Sequence, residues 1–113
     1  MTAAEIAREF WAELPDEIGA AVADVRLVVM DAPTPGMVED YGIEQGEAAA
    51  FVQLGEDAMP LSDGMTDERP RRTIYLFGEN LRPATPARVR EVLTHEIAHA
   101  CGMDEDEVRE LLP

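Results

Sequence analysis

The stretch VREVLTHEIAHACGMDEDEVREL, residues 89–111, determines more of the expected fold than any other part of this 113-residue chain. Its apolar residues recur at three- and four-residue spacing, which predicts an amphipathic helix. Thr85 and Pro86, which precede it, have the pattern of an N-cap and a first helical residue. Gly102 is suited to a left-handed cap, so we expect the helix to end near Cys101.

Within this helix, the residues His95-Glu96-Ile97-Ala98-His99 form an HExxH pattern. Histidines four residues apart project from one helical face, so both imidazoles can reach a single zinc ion. Glu96 is then placed to act as a general base on a water held by that ion. On a helical wheel Glu96 falls within the apolar stripe and the histidines at its edge. A carboxylate on that stripe is costly unless charge or hydrogen bonds compensate for its burial.

The rest of the chain predicts helices that bracket a small sheet, and hence an α+β fold. The predicted helices cover Ala3–Glu13, which a capping box at Thr2 and Glu5 begins, Asp16–Ala23, and a last short helix capped by Asp104 and Glu107. The predicted strands are Val25–Met30, a buried strand by its continuous apolar run, Ala49–Leu54 and Thr73–Phe77. Two segments predict irregular structure, the proline-containing Asp31–Gly36 and the polar loop Glu56–Pro70.

Composition and charge exclude several classes of protein. The chain has 24 acidic and 9 basic residues and a formal net charge of −15. Such a charge disfavours binding to nucleic acids and to anionic membranes. No uncharged run approaches the roughly 20 residues of a membrane span, the first residues lack the apolar core of a signal peptide, and the single cysteine suits a reducing compartment. We therefore expect one cytoplasmic, monomeric domain over residues 1–113, without nucleic-acid or membrane partners.

Four segments together resemble a small bacterial family of metallopeptidase-like proteins with a minimal zincin fold. They are Phe10–Pro15, Val25–Asp31, Arg72–Leu76 and His95–Leu111, of which the last is the specific one. The resemblance implies N-terminal helices, a mixed sheet of three or four strands, the HExxH helix and a short C-terminal helix. It also implies a zinc-dependent peptidase.

The third zinc ligand is expected among the acidic residues after Gly102. A catalytic zinc takes three protein ligands and a water, and the chain has only two histidines. Glu105 stands where zincins with an HExxHxxGxx[HD] motif carry their third ligand, and the family generally has Asp there. Asp106 is the alternative, because one residue of slack in the turn would bring it to the same place. A further alternative is that these acids only favour the N-terminus of the last helix.

Three residues outside the motif carry weaker signals. Cys101 points away from both histidines on the wheel, so a small buried side chain is its expected role rather than a metal ligand. Tyr41 and Tyr75 could each donate to an oxyanion. Both are more typical of aromatic residues in the core or at its rim.

Two sets of residues in the expected loops are also candidates. The basic cluster comprises Arg69, Arg71 and Arg72. It could bind a substrate carboxylate, although a solvated loop that offsets acidic neighbours is the more usual role. Three methionines are expected in loops, namely Met37, Met59 and Met65. They could line a cleft or fill gaps in the core.

The leading hypothesis is a zinc metallopeptidase in which His95, His99 and Glu105 bind the metal and Glu96 is the general base. So small a domain has little room for subsite walls, so we expect short or flexible peptide substrates that dock beside a strand edge. The alternative is a non-catalytic, zinc-stabilised module that binds a protein partner, with the negative charge attracting a basic one. A third interpretation is an acidic mimic of nucleic acid.

Overall fold

A computed structural model describes residues 1–54 and 72–112. These residues form an α+β fold, as predicted, with five α-helices, a short 3-10 helix and a three-stranded sheet. In chain order the elements are α1 (Ala3–Ala12), α2 (Asp16–Ala21), β1 (Val25–Met30), α3 (Pro35–Tyr41), β2 (Ala49–Gln53), β3 (Arg72–Phe77), the 3-10 helix (Gly78–Leu81), α4 (Pro86–Cys101) and α5 (Glu105–Leu111).

The sheet is mixed, and its strands lie in the order β1-β3-β2. The central strand β3 runs parallel to β1 and antiparallel to β2. In this register Ile74 of β3 lies between Leu27 of β1 and Phe51 of β2. Both β1 and β2 are therefore edge strands within the part of the chain that the structure describes.

Alternate residues of β3 pack into two separate apolar clusters. Ile74 and Leu76 are fully buried in the main core, which the helices α1, α2, α4 and α5 complete. Tyr75 and Phe77 point to the other face, where they pack with Met37 of α3. Because side chains alternate along a strand, one sheet separates the two clusters. The layer that carries the HExxH pattern is the one that contains α4.

Helix α4 has the limits and the buried face that the sequence predicts. The Thr85 hydroxyl accepts a hydrogen bond from the Arg88 N–H at 3.3 Å, and Gly102 adopts a left-handed conformation with φ of 66°. Val89, Leu93 and Ile97 are inaccessible to solvent, and they anchor α4 in the main core. This anchoring fixes which side of α4 faces outward.

The prediction of irregular structure over Asp31–Gly36 is wrong at its end, because α3 begins at Pro35. A proline at the first helical position loses no helical hydrogen bond and has a suitable φ angle. Thr34 caps the helix, accepting the Met37 N–H at 3.2 Å, and Gly42 ends it with φ of 68°. These are the same signals that begin and end α4. Met37 consequently lies in a helix and in the second core, not in a loop.

The prediction of a buried strand over Val25–Met30 is also wrong in one respect. The strand exists, but it lies at the sheet edge, with Arg26 exposed and residues 27–30 half-buried. A continuous apolar run is typical of a strand covered on both sides and flanked on both edges. The pattern cannot distinguish such a strand from one whose outer edge is open.

Several sequence-based predictions lie outside the described residues. They concern the loop Glu56–Pro70 and the side chains of Met59, Met65, Arg69 and Arg71. The 3-10 helix after Phe77 had no prediction. Within residues 1–54 and 72–112, every helix is too short or too polar to cross a lipid bilayer.

Truncation of Leu93 to alanine tests the anchoring of α4. Leu93 is fully buried, so Leu93→Ala is expected to lower the free energy of unfolding by about 2–5 kcal/mol. The matched control on the exposed side of the same helix, Glu91→Ala, is expected to change it by less than about 0.5 kcal/mol. Urea denaturation followed by circular dichroism measures both values, and equal effects of the two changes would contradict the packing.

Candidate functional site

The two histidines of the HExxH pattern face each other on the solvent side of α4. Their Nε2 atoms are 3.0 Å apart, and their ring centroids are separated by 4.5 Å. Both residues are exposed, although α4 is otherwise anchored in the core. At this distance one ring nitrogen can donate a hydrogen bond to the other, or both can bind the same cation.

Glu96 lies next to His95 in sequence but on the buried side of the helix. Its residue exposure is 8 %, and its carboxylate accepts a hydrogen bond from the backbone N–H of Phe51 in β2. Burial raises the pKa of Glu96, and the nearby His95 and His99 oppose this rise. The carboxyl group is therefore a better proton acceptor than an exposed glutamate would be.

The turn after α4 brings α5 back toward the histidines. Beyond Gly102, the Met103 N–H donates to the Ala98 carbonyl at 3.1 Å, a bond that closes the helix end. Asp104 then caps α5, accepting the Asp106 N–H at 3.0 Å, and Val108 is fully buried in the main core. Residues three apart share a helical face. Burial of Val108 therefore directs Glu105 toward α4.

Glu105 is the acidic residue of this turn that reaches the histidines. One of its carboxylate oxygens contacts Nδ1 of His95, and this interaction lowers the pKa of Glu105. Its other oxygen accepts a hydrogen bond from the Arg109 guanidinium at 3.2 Å. The Asp106 side chain is 87 % exposed, and it pairs with Arg109 instead. The structure thus brings Glu105, and not Asp106, into contact with His95.

These side chains fit a zinc ion in part. In residues 1–54 and 72–112 no three His, Cys, Asp or Glu side chains are already arranged to hold a metal. The contact of Glu105 is with Nδ1 of His95, whereas His99 faces Nε2. Two ligand nitrogens of a tetrahedral zinc lie about 3.3 Å apart, given Zn–N distances of about 2.0–2.1 Å. The observed 3.0 Å separation matches this value, and a carboxylate lies beside the pair.

A cleft of about 390 Å³ opens beside this group, between α4, α5 and the start of β2. Its ionisable lining residues are Glu47, Arg88, Glu91, His95, Glu96, Glu105 and Arg109. Sequence analysis missed Glu47, Arg88 and Arg109. The spacing of Arg109 four residues after Glu105 is a sequence signal for their ion pair. Glu47 has no such signal, because its place depends on how β2 approaches α4.

Three other candidates are placed away from the histidines. Tyr41 and Tyr75 pack in or against the second core, on the face of the sheet opposite α4. Cys101 packs against the main core, as expected, and burial raises the pKa of its thiol. These positions agree with the structural roles expected for all three.

Arg72 has a role that sequence analysis did not predict. It lies in β3 rather than in a solvated loop, and its guanidinium contacts both the Asp24 carboxylate and the Ala100 carbonyl. Cationic side chains bind well to the carbonyl oxygens at a helix C-terminus. Arg72 therefore ties the end of α4 to the sheet.

The raised pKa of Glu96 gives a prediction for the metal-free protein. A group with a raised pKa stabilises the fold below its unfolded-state pKa and loses that contribution as pH rises through the folded-state value. The wild-type protein is therefore expected to lose stability as the pH rises above 4.5. Glu96→Gln, which cannot ionise, is expected to lose less. Thermal melts between pH 4 and 8 in the presence of a chelator measure this. Glu91→Gln, an exposed change on the same helix, is the control. A loss of stability in Glu96→Gln equal to that in wild type would contradict the prediction.

Comparison with known proteins identifies the family. The sequence model of a family described as zincin-like metallopeptidases matches residues 22–112. A search of curated proteins finds no match to the chain. The matched segment begins just before β1 and extends to the residue after α5, so it includes the whole sheet and both histidines. The chain therefore belongs to the zincin-like metallopeptidase family.

Proposed function

We propose that this protein is a zinc-dependent peptidase in which His95, His99 and Glu105 hold the metal and Glu96 is the general base. The observation that carries the proposal is the pair of Nε2 atoms 3.0 Å apart on α4, with Glu96 buried beside them. The match to the zincin-like metallopeptidase family supports both zinc binding and hydrolysis of peptides.

The chemistry assigned to each residue follows from its environment. Zinc, when bound, would supply a Lewis acid and lower the pKa of a bound water to about 7. The Glu96 carboxylate takes a proton from the attacking water and returns it to the nitrogen of the leaving amine. In the metal-free protein burial raises the pKa of Glu96, and its bond to the Phe51 N–H fixes its position. In the metal-free structure Glu105 contacts Nδ1 of His95, on the opposite side of the ring from Nε2, so ligation by Glu105 requires its carboxylate to move to the Nε2 side.

The outer edge of β2 is the proposed binding surface for substrate. The Phe51 N–H points toward Glu96, and Ala48 and Ala49 line the cleft. An extended peptide can add to such an edge through backbone hydrogen bonds. A cleft of about 390 Å³ has room for only a short stretch of chain, so we propose short or flexible peptides as substrates.

Activity measurements on Glu96→Gln test the proposed catalysis. Removal of the general base is expected to lower kcat by about 100- to 10,000-fold while bound zinc stays close to one per chain. Metal analysis and cleavage of a peptide library by the purified zinc-loaded protein give the two values. Glu110→Gln, an exposed change on α5, is the control and is expected to retain activity. Cleavage that persists in Glu96→Gln with full zinc would exclude this mechanism.

Zinc affinity tests the proposed third ligand. Glu105→Ala is expected to weaken zinc binding by more than about 100-fold. Loss of a residue that only orients a ligand typically weakens metal binding 10- to 100-fold, and loss of a ligand should weaken it more. Asp106→Ala is expected to leave the affinity nearly unchanged, since its side chain is exposed and lies away from the histidines. Competition with a chromophoric chelator measures both constants. A large loss in Asp106→Ala alone would show that the wrong carboxylate has been assigned.

One observation favours the alternative of a non-catalytic, zinc-stabilised module. Glu96 joins α4 to β2 through the Phe51 N–H, so it also has a structural role. If that role were its only one, Glu96→Gln would preserve function, because an amide oxygen can accept the same hydrogen bond. His95→Ala would then unfold the domain through loss of zinc. Together with the kinetics of Glu96→Gln, thermal melts of His95→Ala with and without zinc separate the two functions.

A further inference from the structure

The strand β1 has an open edge on the side of the sheet away from the candidate active site. Its sequence, VRLVVM, is apolar apart from Arg26, yet residues 27–30 are only half-buried. It pairs with β3 alone in the described part of the chain, which leaves the N–H and C=O groups of its other edge available. Such an edge is a template for another strand unless charge or a covering element blocks it.

A groove of about 420 Å³ runs beside this open edge, between α1 and β1. Its lining residues are Arg8, Trp11, Ala12, Val25, Arg26, Leu27 and Val29. Trp11, Leu27 and Val29 are half-buried and provide an apolar surface. The groove therefore offers backbone groups on one side and apolar contacts on the other, the two features that bind an added strand.

The charge of the groove differs from that of the whole protein. Arg8 and Arg26 are both exposed, and neither forms an ion pair or a side-chain hydrogen bond within residues 1–54 and 72–112. Among residues 1–54 and 72–112 no carboxylate lines the groove, although the chain carries 24 acidic and 9 basic residues. Because side chains alternate along a strand, Arg26 lies on the face of Val28, opposite Leu27, so the two guanidinium groups flank the open edge from its two sides. Each is complementary to a carboxylate on a ligand.

We propose that the open edge of β1 and this groove bind an extended, acidic segment of a partner protein as an additional strand. Backbone hydrogen bonds to β1 provide affinity, apolar side chains pack against Trp11, and carboxylates pair with Arg8 and Arg26. A second copy of this chain fits less well, because pairing of two β1 strands would bring four arginines to one interface. The surface lies across the sheet from β2, so the proposal does not depend on the proposed peptidase activity.

Trp11 is the single tryptophan of the chain, so its fluorescence reports directly on the groove. The probe is an acetylated ten-residue peptide in which Glu alternates with Val, and a peptide in which Lys replaces Glu is the control. We expect a saturable change in Trp11 emission with the Glu peptide, and at least tenfold weaker binding of the Lys peptide. Amide hydrogen exchange is expected to slow in residues 25–30 when the Glu peptide is bound.

Charge reversal separates specific binding from general adhesion. Arg26→Glu is an exposed change on the face that the Glu side chains of the peptide share, and it is expected to weaken binding of the Glu peptide at least tenfold. Arg82→Glu, an exposed arginine that does not line the groove, is expected to leave binding unchanged. Repeating the titration in Glu96→Gln prevents cleavage of the peptide from imitating binding.

Four results would overturn the proposal. They are the absence of a saturable Trp11 signal, equal binding of the Lys and Glu peptides, slower exchange in β2 rather than in β1, and slower exchange in β1 on raising the protein concentration alone. The third would assign the peptide to the active-site cleft, and the fourth would assign the edge to a second copy of the chain.

Discussion

Burial of one side of α4 sets the positions of both histidines and of Glu96. The side chains that anchor α4 are buried in the main core, against β3, α1 and α5, and they are Val89, Leu93 and Ile97. With these three side chains fixed, the helical repeat leaves His95 and His99 on the solvent side and Glu96 at the boundary with β2. The site therefore uses rigid elements for its two histidines and its buried carboxylate, which suits chemistry that tolerates little displacement.

The same constraint explains why Glu96 can be charged in a largely apolar position. A buried carboxylate is costly unless hydrogen bonds and nearby positive charge compensate. Here the Phe51 N–H supplies a hydrogen bond, and the histidines supply positive charge when they are protonated or bound to a cation. Glu47 acts in the opposite direction and helps to raise the pKa. The position of β2 is thus as important to the site as the motif itself.

Sequence patterns were informative wherever the structure is determined by neighbouring residues. The caps at Thr85, Gly102 and Asp104 gave both ends of α4 and the start of α5, and the helical wheel gave the burial of Glu96. The equivalent cap at Thr34 and Pro35 was overlooked because the prolines of that segment suggested a break. The local signals for a helix start were present in this segment, so the error lay in how its prolines were interpreted.

Features that depend on tertiary contacts could not be predicted from the sequence. An apolar run does not indicate whether its strand has one neighbouring strand or two. The sequence therefore did not predict the open edge of β1. Arg72 was placed with two other arginines in a basic cluster, yet it ties the sheet to the end of α4. The contact of Glu105 with Nδ1 of His95, and not with the Nε2 side, also depends on the angle between α4 and α5.

X-ray absorption at the zinc edge, measured on the purified protein at one zinc per chain, identifies the ligands of the proposed zinc site. We expect nitrogen and oxygen ligands at about 2.0–2.1 Å, with the multiple-scattering signature of two imidazoles. His95→Ala should remove half of that signature. A sulfur ligand at about 2.3 Å, which Cys101 alone could supply, or a spectrum without imidazole would contradict the assignment of the site.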